Sequence, residues 1–167
     1  MKRITILILA TSFFTIQSCK KEDSPTEDSG TVTDYEGGSE QNESKVSTYN
    51  SLASHNTGQN CMSCHKSGGT GEGWFNVAGS VYDSTQVNAY PNTTVKLYTG
   101  PGGTGALKYT IQVDGRGNFY TTNAIDFSAP LYPAVTGGTS TQYMGGSIST
   151  GECMSCHNNT TGKIWTK

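Results

Sequence analysis

The pentapeptide CMSCH occurs twice in this chain, at residues 61–65 and again at residues 153–157. A long segment without cysteine separates the two copies. The chain has five cysteines, and four of them lie in these two pentapeptides. Whatever the middle of the chain folds into must therefore hold two identical segments, each bearing two thiols and an imidazole, near its two ends.

The spacing C-x-x-C-H is typical of c-type haem attachment. Two thiols separated by two residues can reach the two vinyl carbons on one porphyrin edge, and the next residue supplies the proximal imidazole ligand of the iron. In these motifs the chain resembles a dihaem c-type cytochrome, which implies two covalently attached haems. The implied thioether residues are Cys61, Cys64, Cys153 and Cys156, and the implied iron ligands are His65 and His157.

The supply of distal iron ligands is limited. The chain has three histidines, whereas two bis-histidine haems would need four. The initiator methionine leaves with the expected signal peptide, and the methionines inside the pentapeptides lie on the proximal side. His55 and Met144 remain. Our hypothesis pairs His55 with His65 and Met144 with His157, and the sequence equally allows the crossed arrangement.

Other chemistries fit the same cysteines. Four thiols in two C-x-x-C pairs can form a zinc site, and in an oxidising compartment each pair can close a small disulfide. The electron carrier therefore competes with a surface binding module that has no redox role. It also competes with a peroxidase-like dihaem enzyme with one open iron. We favour the electron carrier, with redox proteins or an external electron acceptor as partners and with no catalytic residues.

The first residues predict export. Lys2 and Arg3 precede the apolar run ITILILATSFF, which is typical of a signal peptide and too short to cross a bilayer. The following IQSC brings Cys19 to the position of a lipobox cysteine, and CKKEDS resembles the lipidated N-termini of bacterial surface lipoproteins. We expect a signal peptide over 1–18 and lipidation of Cys19, which would anchor the protein in the outer membrane, on its surface or periplasmic face. The alternative is ordinary cleavage nearby, which leaves Cys19 as a loose thiol.

Residues 19–50 are expected to form an acidic tether. Eight acidic residues fall between Glu22 and Glu43, and apolar residues are few. Such a composition buries too little apolar surface to offset the entropy of ordering the chain. The net charge is −2 and no basic stripe is present, so nothing indicates a nucleic-acid partner. An oligomer is possible.

Alternating apolar residues predict β-strands in the middle of the chain. Gly and Pro separate these segments, and ALKYTIQVDGRGNFYTT predicts a hairpin that turns at DGRGN. LYPAVTG predicts a further short strand, which Pro133 should push to a sheet edge. The residues expected on shared strand faces are Phe75, Val77, Gly79 and Val81, then Val95, Leu97 and Thr99, then Leu107, Tyr109, Ile111 and Val113.

The predicted fold is mainly β, a small antiparallel β-sandwich flanked by two loop-rich haem-binding segments. Its expected boundaries are 51–73 for the first haem-binding segment, 74–137 for the sandwich and 138–167 for the second haem-binding segment. The pattern VAGSVYD, NTTVKLYTG and KYTIQVDGRGNFYTT resembles the carboxypeptidase-regulatory-like, or transthyretin-like, sandwich family. That resemblance implies a scaffold and no chemistry. The aromatic residues available to cover porphyrin are Trp74, Phe75, Tyr143 and Trp165.

Overall fold

The computed structural model describes residues 42–167, so the predicted signal peptide, Cys19 and most of the tether lie outside the described residues. The predicted mainly-β sandwich is confirmed. No helix within the described range has the length and apolar character of a membrane span. The strands are β1 (Val77–Tyr82), β2 (Thr94–Tyr98), β3 (Leu107–Gln112), β4 (Asn118–Thr121), β5 (Tyr132–Thr136), β6 (Thr141–Tyr143), β7 (Gly151–Glu152) and β8 (Ile164–Trp165).

The strands form two sheets. In the first sheet β1 is central, with β4 antiparallel on one side and the short strands β7 and β8 parallel to its first and second halves. The second sheet has the order β3-β2-β5-β6 and is antiparallel throughout. The predicted second haem-binding segment therefore contributes a strand to the second sheet and two to the first.

The core lies between the sheets and follows the predicted alternation on β2. Val95 and Leu97 are buried there, while their neighbours on the strand are half-buried. All six residues of β1 are buried, because strands flank it on both sides and both of its faces are covered. The central cluster consists of Val77, Val81, Val95, Leu97, Ile111, Val113, Phe119, Leu131 and Val135.

The predicted hairpin at DGRGN is wrong. β3 pairs with β2 in the second sheet, whereas β4 pairs with β1 in the first. The fully buried Asp114 carboxylate accepts hydrogen bonds from the N–H groups of Arg116 and Asn118, at 2.9 and 3.0 Å. This side-chain capping lets the chain bend from one sheet to the other instead of returning along the same sheet.

The predicted edge position of Pro133 is also wrong, because β5 lies between β2 and β6. The Pro133 carbonyl accepts a hydrogen bond from the Met144 N–H, just past the end of β6. Proline has no N–H to donate. In Pro133 the missing donor faces Met144, where the pairing of β5 with β6 has ended, so the sheet loses no ladder hydrogen bond.

Packing on the sandwich begins before Ser51. Ser47 donates its N–H to Tyr120 of β4, and the Lys45 carbonyl accepts the N–H of Thr122. Residues 45–47 therefore run beside β4, with a bridge between Val46 and Thr121. This contact fixes the direction in which the chain enters the loop that carries His55.

Candidate haem-attachment site

The two CMSCH copies adopt the same local structure. A 3₁₀ turn spans Cys61–Ser63 in the first copy and Cys153–Ser155 in the second. In each copy the histidine N–H donates to the carbonyl of the first cysteine at 3.0 Å. The serine hydroxyl donates to the carbonyl of the residue before the turn, at 2.7 Å in the first copy and 2.6 Å in the second. Identical sequence therefore gives identical backbone geometry in two different surroundings.

Both motif histidines bind a backbone carbonyl through the same ring nitrogen. Nδ1 of His65 lies 2.8 Å from the Glu72 carbonyl, and Nδ1 of His157 lies 2.7 Å from the Gly162 carbonyl. A carbonyl oxygen only accepts, so each Nδ1 donates its proton, and in the neutral imidazole Nε2 then has the lone pair. This is how proteins usually fix an imidazole that binds a metal through Nε2.

The ring of His65 is packed closely. Phe75 stacks on it, with centroids 4.2 Å apart and an angle of 11° between the planes. A methyl group added at Gly71 would lie 2.7–2.9 Å from three atoms of the same ring, so the backbone at Gly71 also lies against it. Together with the contact between Nδ1 and the Glu72 carbonyl, this packing fixes the orientation of the ring.

His55 lies beside this histidine. The two rings have centroids 5.8 Å apart and are tilted by 31°. Buried Asn118 holds the His55 loop, because its side-chain amide donates to the hydroxyls of Ser54 and Thr57 at 2.9 and 3.0 Å. Ser80, also buried, accepts the Gly58 N–H at 2.8 Å. The structure thus brings the first candidate distal ligand next to the first motif.

The second motif opens onto a cavity of about 400 Å³, within the range of roughly 300–1,000 Å³ common for ligand and cofactor sites. Its walls reach from the core residues of β1 and β2 to the surface. Met144 lines this cavity together with His157, so the second candidate distal ligand and the second motif face the same cavity. The residues of the motif and its aromatic cover that line the cavity are Tyr143, Cys153, Cys156, His157 and Trp165.

The cysteines differ in their surroundings. Cys153 packs against the core, and burial raises the pKa of its thiol to about 12. Burial also raises the pKa of Cys61. Cys61, Cys153 and Cys156 are free thiols. Neither C-x-x-C pair is therefore closed on itself.

Across residues 42–167, no group of three or more His, Cys, Asp and Glu side chains lies in position to hold a metal ion. The zinc alternative would need the thiols of both C-x-x-C pairs to come together around one ion. A covalently attached haem has no such need, since the porphyrin supplies four of the iron ligands and the chain supplies only axial ones.

The two attachment turns, the 3₁₀ turns at Cys61–Ser63 and Cys153–Ser155, lie next to each other beside the first sheet. Asn60 Nδ2 donates to Glu152 Oε1 at 2.8 Å, and Asn158 Nδ2 donates to the Gly58 carbonyl at 3.1 Å. In the chain, the second turn lies between β7 and β8, and the first turn precedes β1. The sequence left the relative position of the motifs open, and the structure brings them together.

No family model, curated protein or solved structure matches this chain. Its candidate function therefore rests on the chemistry of the site itself.

Sequence reasoning missed the residues that support the motif histidines. The partners of the two rings are the backbone carbonyls of Glu72 and Gly162. Every residue has a backbone carbonyl, so the sequence could not indicate these two. Gly71 gave a faint signal as part of the glycine-rich stretch after the first motif. The contact between Asn60 and Glu152 depends on strand pairing far along the chain, which local patterns do not contain.

Proposed function

We propose that this chain is a dihaem c-type cytochrome of the cell envelope, held there by a lipid on Cys19. It transfers single electrons between a membrane or periplasmic donor and an external acceptor or partner cytochrome. The observation that carries the proposal is the matched pair of hydrogen bonds from His65 and His157 to backbone carbonyls. These bonds occupy Nδ1 of each ring and leave Nε2 as the nitrogen that would bind iron. Each of the two histidines directly follows a C-x-x-C pair.

The chain's own residues would bind and orient two haems. Bound haem supplies an iron that gains and loses one electron. Cys61, Cys64, Cys153 and Cys156 supply the thioether sulfurs.

The distal ligands in this proposal are His55 at the first site and Met144 at the second. The ring centroids of His55 and His65 lie 5.8 Å apart, so both imidazoles would be close enough to hold the same haem. Met144 faces the same cavity as His157.

Filled distal positions favour electron transfer over peroxide chemistry. A peroxidase-like enzyme needs an open iron with an acid–base residue nearby. Here one candidate sixth ligand, His55, lies beside His65, and the other, Met144, lines the same cavity as His157. Phe75 and Trp165 would exclude water near the two sites, which keeps solvent reorganisation small when the charge on iron changes.

Absorption spectroscopy of protein expressed with a c-type maturation system tests the proposal. We expect a haem spectrum with two thioether-bound haems per chain that switches reversibly with dithionite and ferricyanide. The matched control replaces the four motif cysteines by serine and should be colourless. A colourless native protein would contradict the proposal, and rapid peroxide turnover would favour the enzyme.

A further inference from the structure

Glu152 links the two attachment turns. It is the residue immediately before Cys153, and Asn60 is the residue immediately before Cys61. Their side chains meet in the hydrogen bond of 2.8 Å from the Asn60 amide to the Glu152 carboxylate. The bond is partly buried. The two turns are therefore joined through the residues that immediately precede them.

The backbone of Glu152 is fixed by strand pairing. It lies on β7, opposite Ala78 of β1 in parallel register. Gly151 makes this approach possible, because a methyl group there would lie 1.9 Å from the Asn76 carbonyl oxygen. Any side chain at that position would push β7 away from β1. Glu152 thus has a defined position relative to both motifs.

The Glu152 carboxylate has no cationic partner among the described residues. The ion pairs found over 42–167 join Lys45 to Glu43 and to Glu72. Lys163 lines the same cavity as Glu152, but its ammonium group lies over the ring of Tyr82, 4.1 Å from the centroid. A half-buried negative charge without a paired cation is screened less than a fully exposed one, so it can act on groups close to it.

We propose that Glu152 sets the reduction potentials of both irons, as a shared positioning residue and a shared negative charge. This inference rests on the proposed attachment of haem at both motifs. A nearby carboxylate stabilises the ferric form, which carries one more positive charge than the ferrous form, and so lowers the potential. Because Glu152 contacts the first turn and precedes the second, one charge acts on both irons.

Glu152→Gln tests the charge while keeping the link, because the glutamine carbonyl can still accept from Asn60. Spectroelectrochemical titration of the holoprotein gives the two midpoint potentials, and Cys→Ser variants of one motif at a time assign them. We expect both potentials to rise in Glu152→Gln. Asp126→Asn is the matched control, since that exposed carboxylate accepts from Ser128, and it should leave both potentials unchanged.

Asn60→Ala tests the link itself. It should move the potential of the first site more than that of the second, because the first turn loses its hold on the carboxylate. A rise confined to the second site in Glu152→Gln, or no rise at either site, would overturn the inference. Intact mass separates the two failures: a protein with two haems and unmoved potentials sinks only the role of Glu152, whereas a protein without haem sinks the proposed function.

Discussion

The imidazole rings of His55 and His65 lie 5.8 Å apart, on a loop and a turn that separate elements hold in position. Phe75 stacks on the His65 ring and Gly71 lies against it. The buried Asn118 amide donates two hydrogen bonds to the His55 loop. Neither histidine therefore owes its position to the other. If both bind the iron of the first haem, as proposed, this axial pair is held in place by two separate parts of the fold.

Replacement of His55 by alanine should change the coordination of one haem. The first iron would lose its sixth ligand and become partly high-spin, while the second would stay low-spin. Electron paramagnetic resonance of the oxidised protein measures the two signals separately. An unchanged spectrum would show that His55 is an ordinary loop residue.

Met144→Ala should act on the other haem alone. Methionine ligation raises haem potentials, so its loss should lower the higher of the two midpoint potentials in a redox titration. Met62→Leu is the matched control, because that methionine lies inside the first attachment turn and should leave both potentials in place. Two equal low potentials in the native protein would contradict the ligand assignment.

Gly71→Ala should disturb the first site through sterics. Its methyl group would lie within 2.9 Å of the His65 ring, and overpacking of this kind costs about 1–3 kcal/mol. We expect a lower melting temperature and reduced haem occupancy at the first motif. Gly138→Ala is the control, because its methyl group would make only an ordinary contact of 3.6 Å with Tyr90. Equal melting temperatures and equal haem occupancy in the two variants would contradict a close contact between Gly71 and the His65 ring.

The thiols of the second motif should differ in reactivity before haem is attached. The pKa of Cys153 is raised to about 12 by burial, so its thiol stays protonated and unreactive up to strongly alkaline pH. Cys156 is exposed. Because the thiolate is the nucleophile, alkylation of the haem-free protein at pH 8 should label Cys156 well before Cys153. Peptide mass mapping measures both rates, and faster labelling of Cys153 would refute the buried environment.

Local sequence patterns predicted the strands well where burial follows alternation. Val95 and Leu97 face the core, as the spacing of apolar residues predicted. β1 forms over the segment in which Val77 and Val81 predicted a strand. The pattern could not tell which sheet a strand joins. The turn after β3 contains residues typical of a hairpin, yet the buried Asp114 carboxylate redirects the chain to the other sheet.

The motifs indicated the attachment residues but not their arrangement. Whether the two turns meet depends on the parallel pairing of β7 with β1, between segments that are far apart in the chain. A two-residue strand has no periodicity that a sequence pattern could detect. The distal ligands could be shortlisted by counting histidines and methionines, whereas their assignment to a motif needed the positions of His55 and Met144 in the fold.

The central claim is that both CMSCH turns carry covalently bound haem. Intact-mass analysis of the matured protein tests it most directly, combined with variants in which the cysteines of one motif are replaced by serine. The account predicts a gain of two haem masses in the native chain and of one in each variant. A native chain without added mass, or with the same added mass after loss of either motif, would contradict it.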